Sequence, residues 1–184
     1  MKKIAVLVED LYEEIELLYP YYRLMEEGYE VHLVGSEKDT VYKGKSGSYP
    51  MTSTHASKDI DAKDYDMVVI PGGYSPDKMR KCQATLDFVK ELDKEQKPIA
   101  AICHGPWIMA SSCDLKGKSI TSVKSIKDDL INAGANYVDE EVVVDGNIIT
   151  SRTPDDMIPW IKAILEAVDE KEMLHTEEYT PLDI

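Results

Sequence analysis

The run from Pro98 to Ile102 is wholly apolar and stops at Cys103-His104-Gly105-Pro106, after which Trp107 to Leu115 takes up helical spacing. A segment with no polar position has no solvent face, so it suits a strand covered on both sides by helices, as in a parallel sheet. The same rhythm occurs earlier. Ile4 to Val8 is an apolar run, and Tyr12 to Gly28 follows it with Ile15, Leu18, Tyr22 and Met25 at helical spacing. Tyr29 to Gly35 is again β-rich, which completes a β-α-β unit long enough for a right-handed parallel crossover. Asp66 to Ile70 then runs into Pro71-Gly72-Gly73, and one helix is expected from about Pro76 to Glu95, with Met79, Leu86, Val89 and Leu92 buried.

The remaining segments are less regular. Thr40 to Ser57 has no clear period and reads as short extended pieces, with a hairpin among the options. Beyond the Cys103 turn, a strand is expected near Lys118 to Ser122 and a short helix from about Ile126 to Ala133. Glu141 to Val144 and Asn147 to Thr150 flank Asp145-Gly146 as a hairpin, and an amphipathic helix spans Asp155 to Val168. A chain of 184 residues, 43% hydrophobic, suits one well-buried core. The expected division is one α/β domain over residues 1–169 and a charged C-terminal tail over residues 170–184.

Charge and cysteine usage narrow the partners. A formal charge of −14 opposes binding to nucleic acid or an anionic membrane, since no basic stripe interrupts it. The start MKKIAVLVEDLYEE has too short an apolar run for a signal peptide or a spanning helix, so a cytoplasmic protein is expected. Cys82, Cys103 and Cys113 form no C-x-x-C pair, and His32 and His55 lack ligand spacing, so no metal is expected.

Cys103 therefore matters as a thiol. A sharp strand-to-helix turn lifts one side chain above the sheet and aims it at a helix N-terminus, as in a nucleophile elbow. Ala101-Ile102-Cys103-His104-Gly105 has that spacing, with alanine where the usual pattern has its first glycine. Backbone N–H groups and the helix dipole favour a thiolate, so the thiol is expected below its ordinary value. His104 can serve as a general base or as a structural group. Gly72 and Gly73 can form an anion pocket with the His104 amide, or simply a tight turn. Glu13 and Glu16 share a face of the first helix, and either carboxyl, protonated through burial, can bond the thiolate.

Five strings in order, Glu13-Glu14-Ile15-Glu16-Leu17, Val69-Ile70-Pro71-Gly72-Gly73, Ala101-Ile102-Cys103-His104-Gly105-Pro106, Ile126-Lys127-Asp128-Asp129 and Ser151-Arg152-Thr153-Pro154, resemble the PfpI branch of the DJ-1/PfpI family. The resemblance implies a flavodoxin-like three-layer α/β sandwich with a mostly parallel sheet. It also implies a catalytic Cys103 contacted by Glu16 with Glu13 nearby, an oxyanion pocket including Gly73 and His104, no cofactor, and a dimer or hexamer. In this branch an acid from a neighbouring subunit completes a Cys-His-acid set; the matching position is Asp77 in place of glutamate. A tyrosine usual before Ile-Lys-Asp-Asp is replaced by Val123-Lys124-Ser125. The resemblance leaves three activities open: a glyoxalase or deglycase acting on a small aldehyde or a glycated group, an intracellular cysteine peptidase acting on peptides, and a non-enzymatic redox-sensing chaperone. Dicarbonyl chemistry is the leading expectation, because it needs one thiolate, one proton shuttle and a small pocket.

Overall fold

The computed structural model describes residues 1–176, with side chains as far as residue 169. The wholly apolar runs become the strands of the sheet's centre. β1 (Lys3–Leu7) leads into α1 (Glu14–Glu26) and β2 (Glu30–Gly35). The irregular stretch contains β3 (Val41–Tyr42) and β4 (Met51–Thr52), an antiparallel pair, and then β5 (His55–Ala56), which joins the main sheet beside β2. β6 (Met67–Ile70), α2 (Ser75–Met79), α3 (Gln83–Lys94), β7 (Ile99–Ile102) and α4 (Pro106–Ser112) follow. β8 (Ser119–Ile120), α5 (Lys127–Asn132) and β9 (Asn136–Tyr137) come next, then the hairpin β10 (Val142–Asp145) and β11 (Ile148–Ser151), and finally α6 (Met157–Thr176).

The seven-stranded sheet has the order β10-β11-β7-β6-β1-β2-β5, parallel throughout except where β10 pairs antiparallel with β11. Counting only the five central strands, this is the flavodoxin order 2-1-3-4-5, with its switch point between β1 and β6. Alternate residues of each strand feed the two faces. Ala5, Leu7, Ile99 and Ala101 pack with Val89, Leu92 and Met109 on one side. Ile4, Val6, Ala100 and Ile102 pack with Leu17, Leu24, Trp160 and Ile164 on the other.

The fold decides which face of α1 is buried, and two expectations need correction. The inner face of α1 consists of Glu16, Leu17, Pro20 and Leu24, whereas Ile15, Tyr22 and Met25 are exposed. Helix α1 carries apolar residues around most of its circumference, so spacing alone does not choose a face. Ile15 and Tyr22 line an open groove of about 710 Å³ with Leu18 and Tyr19. The single helix expected from Pro76 to Glu95 is two, α2 and α3, with Cys82 extended between them. Met79 and Leu86 lie seven residues apart and face the same core, so the break leaves the apolar period intact. Finally, α6 runs to Thr176, so the expected boundary at residue 169 falls inside a helix; the rest of the expected tail, 177–184, lies outside the described residues. Among the described residues no helix is long and apolar enough to cross a membrane.

The elbow between β7 and α4 leaves no room for a side chain at residue 105. A Cβ on Gly105 would stand 2.6 Å from the Ile70 carbonyl oxygen and 2.8 Å from that of Ile102. Both are sheet backbone and cannot yield as a flexible side chain would. Gly105→Ala is expected to cost about 1–3 kcal/mol, the usual range for overpacking. A urea titration should show a lower midpoint at unchanged slope, and an unchanged midpoint would contradict this close packing.

Candidate functional site

The site lies at the carboxyl ends of β1, β6 and β7, at the topological switch point where open α/β sheets bind ligands. β7 delivers Cys103 with φ 61°, a left-handed conformation that costs a non-glycine residue roughly 1–3 kcal/mol and persists only when its surroundings impose it. Here the backbone is clamped: the Cys103 N–H donates to the Ser151 carbonyl at 3.1 Å, and the Cys103 carbonyl accepts from the Val123 N–H at 3.1 Å.

The sulfur faces the backbone N–H groups of Gly73 and His104. Gly73 has φ 70°, and a Cβ there would stand 2.4 Å from the Glu13 nitrogen, so only glycine brings its amide to this position. The neighbouring amide points elsewhere. The Gly72 N–H donates to Glu16 Oε2 at 2.8 Å, so Gly72 serves the carboxyl and not the expected anion pocket.

Glu16 is fully buried, and among the described residues its Oε1 has no hydrogen-bond partner. Burial pushes its carboxyl up to about 7, against the Gly72 hydrogen bond that favours ionisation; the Glu13 charge adds to the rise. Glu13 turns away to form an ion pair with Lys45, so of the two candidate acids only Glu16 acts at the thiol. The Cys103 thiol departs from expectation in direction. Burial and the Glu16 charge push it up to about 12, outweighing the amides of Gly73 and His104.

These two shifts belong to one pair. With Glu16 ionised the thiol is held protonated, whereas with Glu16 protonated that repulsion vanishes and the two amides remain. Both arrangements carry one negative charge and differ only in where a single proton sits, so the pair titrates as a unit.

His104 Nδ1 lies 3.4 Å from Cys103 Sγ, and its Nε2 lies 3.3 Å from the Ser125 hydroxyl. Burial lowers the imidazole's pKa, with a smaller contribution from the Lys45 charge. Asp77 is exposed on α2 and makes no hydrogen bond to His104 within the chain. The mouth is aromatic: the His104 ring lies 5.3 Å from Trp107 and 6.5 Å from exposed Tyr74. Trp160, the other tryptophan, is core.

Sequence reasoning missed Lys45 and Ser125. Lys45 reaches the site because the β3–β4 segment is tied across the start of α1. Its N–H donates to the Tyr12 carbonyl at 2.8 Å, and Glu14 accepts from the Ser46 N–H at 3.0 Å. No local pattern in that stretch signals such a contact. Cys82 is perturbed as well. Burial raises it, but hydrogen bonds from Thr85, Ser57 and the amides of Thr85 and Ala84 outweigh burial and lower its pKa. Cys113 is pushed up to about 12 by burial and by Asp93. Among the described residues no group of three or more His, Cys, Asp or Glu side chains could hold a metal ion.

The family model described as DJ-1/PfpI matches residues 2–167. A protein of Pyrococcus abyssi named a deglycase is 43% identical over 164 residues, covering 89% of this chain and 98% of that one. YraA of Bacillus subtilis, provisionally named a cysteine protease, is 48% identical over 156 residues, covering 85% of this chain and 92% of that one. Among solved structures, a two-domain protein from Anabaena variabilis with DJ-1/ThiJ/PfpI-like and ferritin-like domains superposes with TM-score 0.89 at 42% identity. The match covers 91% of this chain and half of that one.

Proposed function

This chain belongs to the DJ-1/PfpI family, and from that premise we propose that it is a hydrolase-type enzyme whose Cys103 attacks reactive dicarbonyls and the adducts they form on amines. The observation that carries this reading is the buried Glu16 carboxyl, pushed up to about 7, set beside a Cys103 thiol that faces the amides of Gly73 and His104.

In the form with Glu16 protonated, the thiolate adds to an aldehyde carbon, and the carbonyl oxygen takes a proton to give a hemithioacetal. Glu16 is placed to supply that proton, since Oε1 is unpartnered and the carboxyl is pushed up to about 7. For a dicarbonyl, the hydrogen on the former aldehyde carbon then leaves as a proton, one returns to the adjacent carbon, and the hydroxyl proton passes from the first oxygen to the second, which leaves a thioester. Water cleaves the thioester to a 2-hydroxy acid and restores Cys103. For a glycated amine held as a hemiaminal, the thiolate forms the carbon–sulfur bond as the carbon–nitrogen bond breaks, the amine leaves with a proton, and the hemithioacetal so formed follows the same path to the 2-hydroxy acid. These steps need no external oxidant or reductant.

A cysteine peptidase is the second reading, favoured by the 3.4 Å approach of His104 Nδ1 to Cys103 Sγ and by the name of the Bacillus subtilis relative. An amide's amine is a poor leaving group and needs a well-aligned acid, and among the described residues no carboxylate bonds His104.

The test is product formation by the purified protein from methylglyoxal, from glyoxal, from a methylglyoxal-treated amino acid, and from a quenched peptide. Lactate from methylglyoxal, glycolate from glyoxal and release of the free amino acid are the expected results. Peptide cleavage without aldehyde turnover would replace this reading with the peptidase.

A further inference from the structure

We propose that Ser125 is a positioning residue that holds His104 in the tautomer whose Nδ1 is free to take the Cys103 proton, so that one chain carries the sequence Sγ–Nδ1, Nε2–Oγ unaided.

The geometry is a relay through one ring. Cys103 Sγ lies 3.4 Å from Nδ1, and Ser125 Oγ lies 3.3 Å from Nε2, on the far side of the imidazole. A neutral imidazole carries its proton on one nitrogen, and the hydrogen bond made by that nitrogen selects which one. The protonated thiol donates to Nδ1, which leaves the ring proton on Nε2, and the Ser125 hydroxyl, able to donate or accept, then takes the acceptor role towards Nε2–H. When the thiol proton moves to Nδ1, the ring becomes an imidazolium and Sγ a thiolate, while the Nε2 proton stays in its bond to Ser125. An acid does this work in a Cys-His-acid set.

The segment bearing Ser125 is built onto the elbow. The Val123 N–H bonds the Cys103 carbonyl at 3.1 Å, the Tyr137 hydroxyl bonds the Ser122 carbonyl at 2.9 Å, and Ile126 is buried in the core. The short helical turn Lys124–Ile126 thus carries its serine past the ring at a fixed distance from the nucleophile. The groups facing His104 from other elements are Lys45 of the β3–β4 segment, the Tyr74 ring and, from α4, the Trp107 ring. None of these groups hydrogen-bonds Nε2, which meets Ser125 Oγ.

This inference rests on Cys103 being the reacting thiol and not on the identity of the substrate. It is therefore read by iodoacetamide alkylation of Cys103 across pH, with nitrogen-15 NMR of the His104 ring, on the full chain in a Cys82→Ser, Cys113→Ser background. The ring should be protonated on Nε2 in the parent. Ser125→Ala should mix the tautomers and slow alkylation at neutral pH roughly 2–10-fold, the scale of one neutral hydrogen bond. Ser125→Thr, which keeps the hydroxyl, should restore both. In a His104→Gln background, Ser125→Ala should have no further effect. An unchanged tautomer in Ser125→Ala, or the same slowing in the absence of His104, would overturn the proposal. Loss of dicarbonyl turnover with these readouts intact would overturn the proposed function alone.

Discussion

Cys103→Ala is expected to abolish aldehyde turnover, with a loss on the order of 10⁴-fold or more, as when the nucleophile of a covalent mechanism is removed. No other thiol can substitute. Cys82 lies before α3 beside Ser57, and Cys113 follows α4, where burial and Asp93 push it up to about 12. Alanine deletes only the sulfur and keeps the backbone in the clamp formed by Ser151 and Val123, so the variant should fold with a near-unchanged urea midpoint. That separates chemistry from folding. Residual turnover above about a hundredth of wild type, in a folded variant, would mean that the thiolate is not the nucleophile.

Glu16→Gln should produce the second large effect, on two readouts. Glutamine can still accept from the Gly72 N–H, but it has no acidic proton to deliver at the position of Oε1. Turnover should fall about 10²–10⁴-fold, the usual contribution of a positioned acid or base. The pH dependence of stability should change as well. The carboxyl's usual value of 4.5 rises to about 7 in the fold. A raised carboxyl binds its proton more tightly when folded, so its stabilisation is complete below pH 4.5 and is lost as pH rises through 7. The loss is on the order of 3 kcal/mol, from a shift of about 2.5 at 1.36 kcal/mol each. Glutamine does not titrate, so the stability of Glu16→Gln relative to wild type should rise between pH 4.5 and 8. Urea midpoints at several pH values measure this difference, and parallel curves for the two proteins would show that Glu16 ionises normally.

The strand-and-helix rhythm, the elbow at Cys103 and the hairpin of β10 and β11 are legible in the sequence because each depends on neighbours within a few residues. An apolar run, a Gly-rich turn and a resumed helical period carry their meaning locally. Even there, local pattern has a limit. The break between α2 and α3 preserves the apolar period, and α1 offers two apolar faces of which the fold buries one. Spacing reports periodicity; which side is buried depends on what the sheet brings against it.

The site is of the other kind. Glu13 and Glu16 look equivalent along the chain, and they differ because Gly72, 56 residues away, donates to Glu16 while Lys45 takes Glu13. Ser125 remains an exposed polar residue in the fold, and the loop's bond to the Cys103 carbonyl is what places it against His104. The thiol's shift is decided the same way. A helix start lowers a cysteine's pKa, and that much follows from the motif; burial and a nearby carboxylate raise it further than the amides lower it. The sequence by itself determined the order of strands and helices and the residue at the elbow, since short-range sterics and solvent exclusion act on adjacent positions. Only the tertiary structure decided which carboxyl holds the proton and which hydroxyl meets the imidazole, because desolvation and charge act through space between segments the chain keeps far apart.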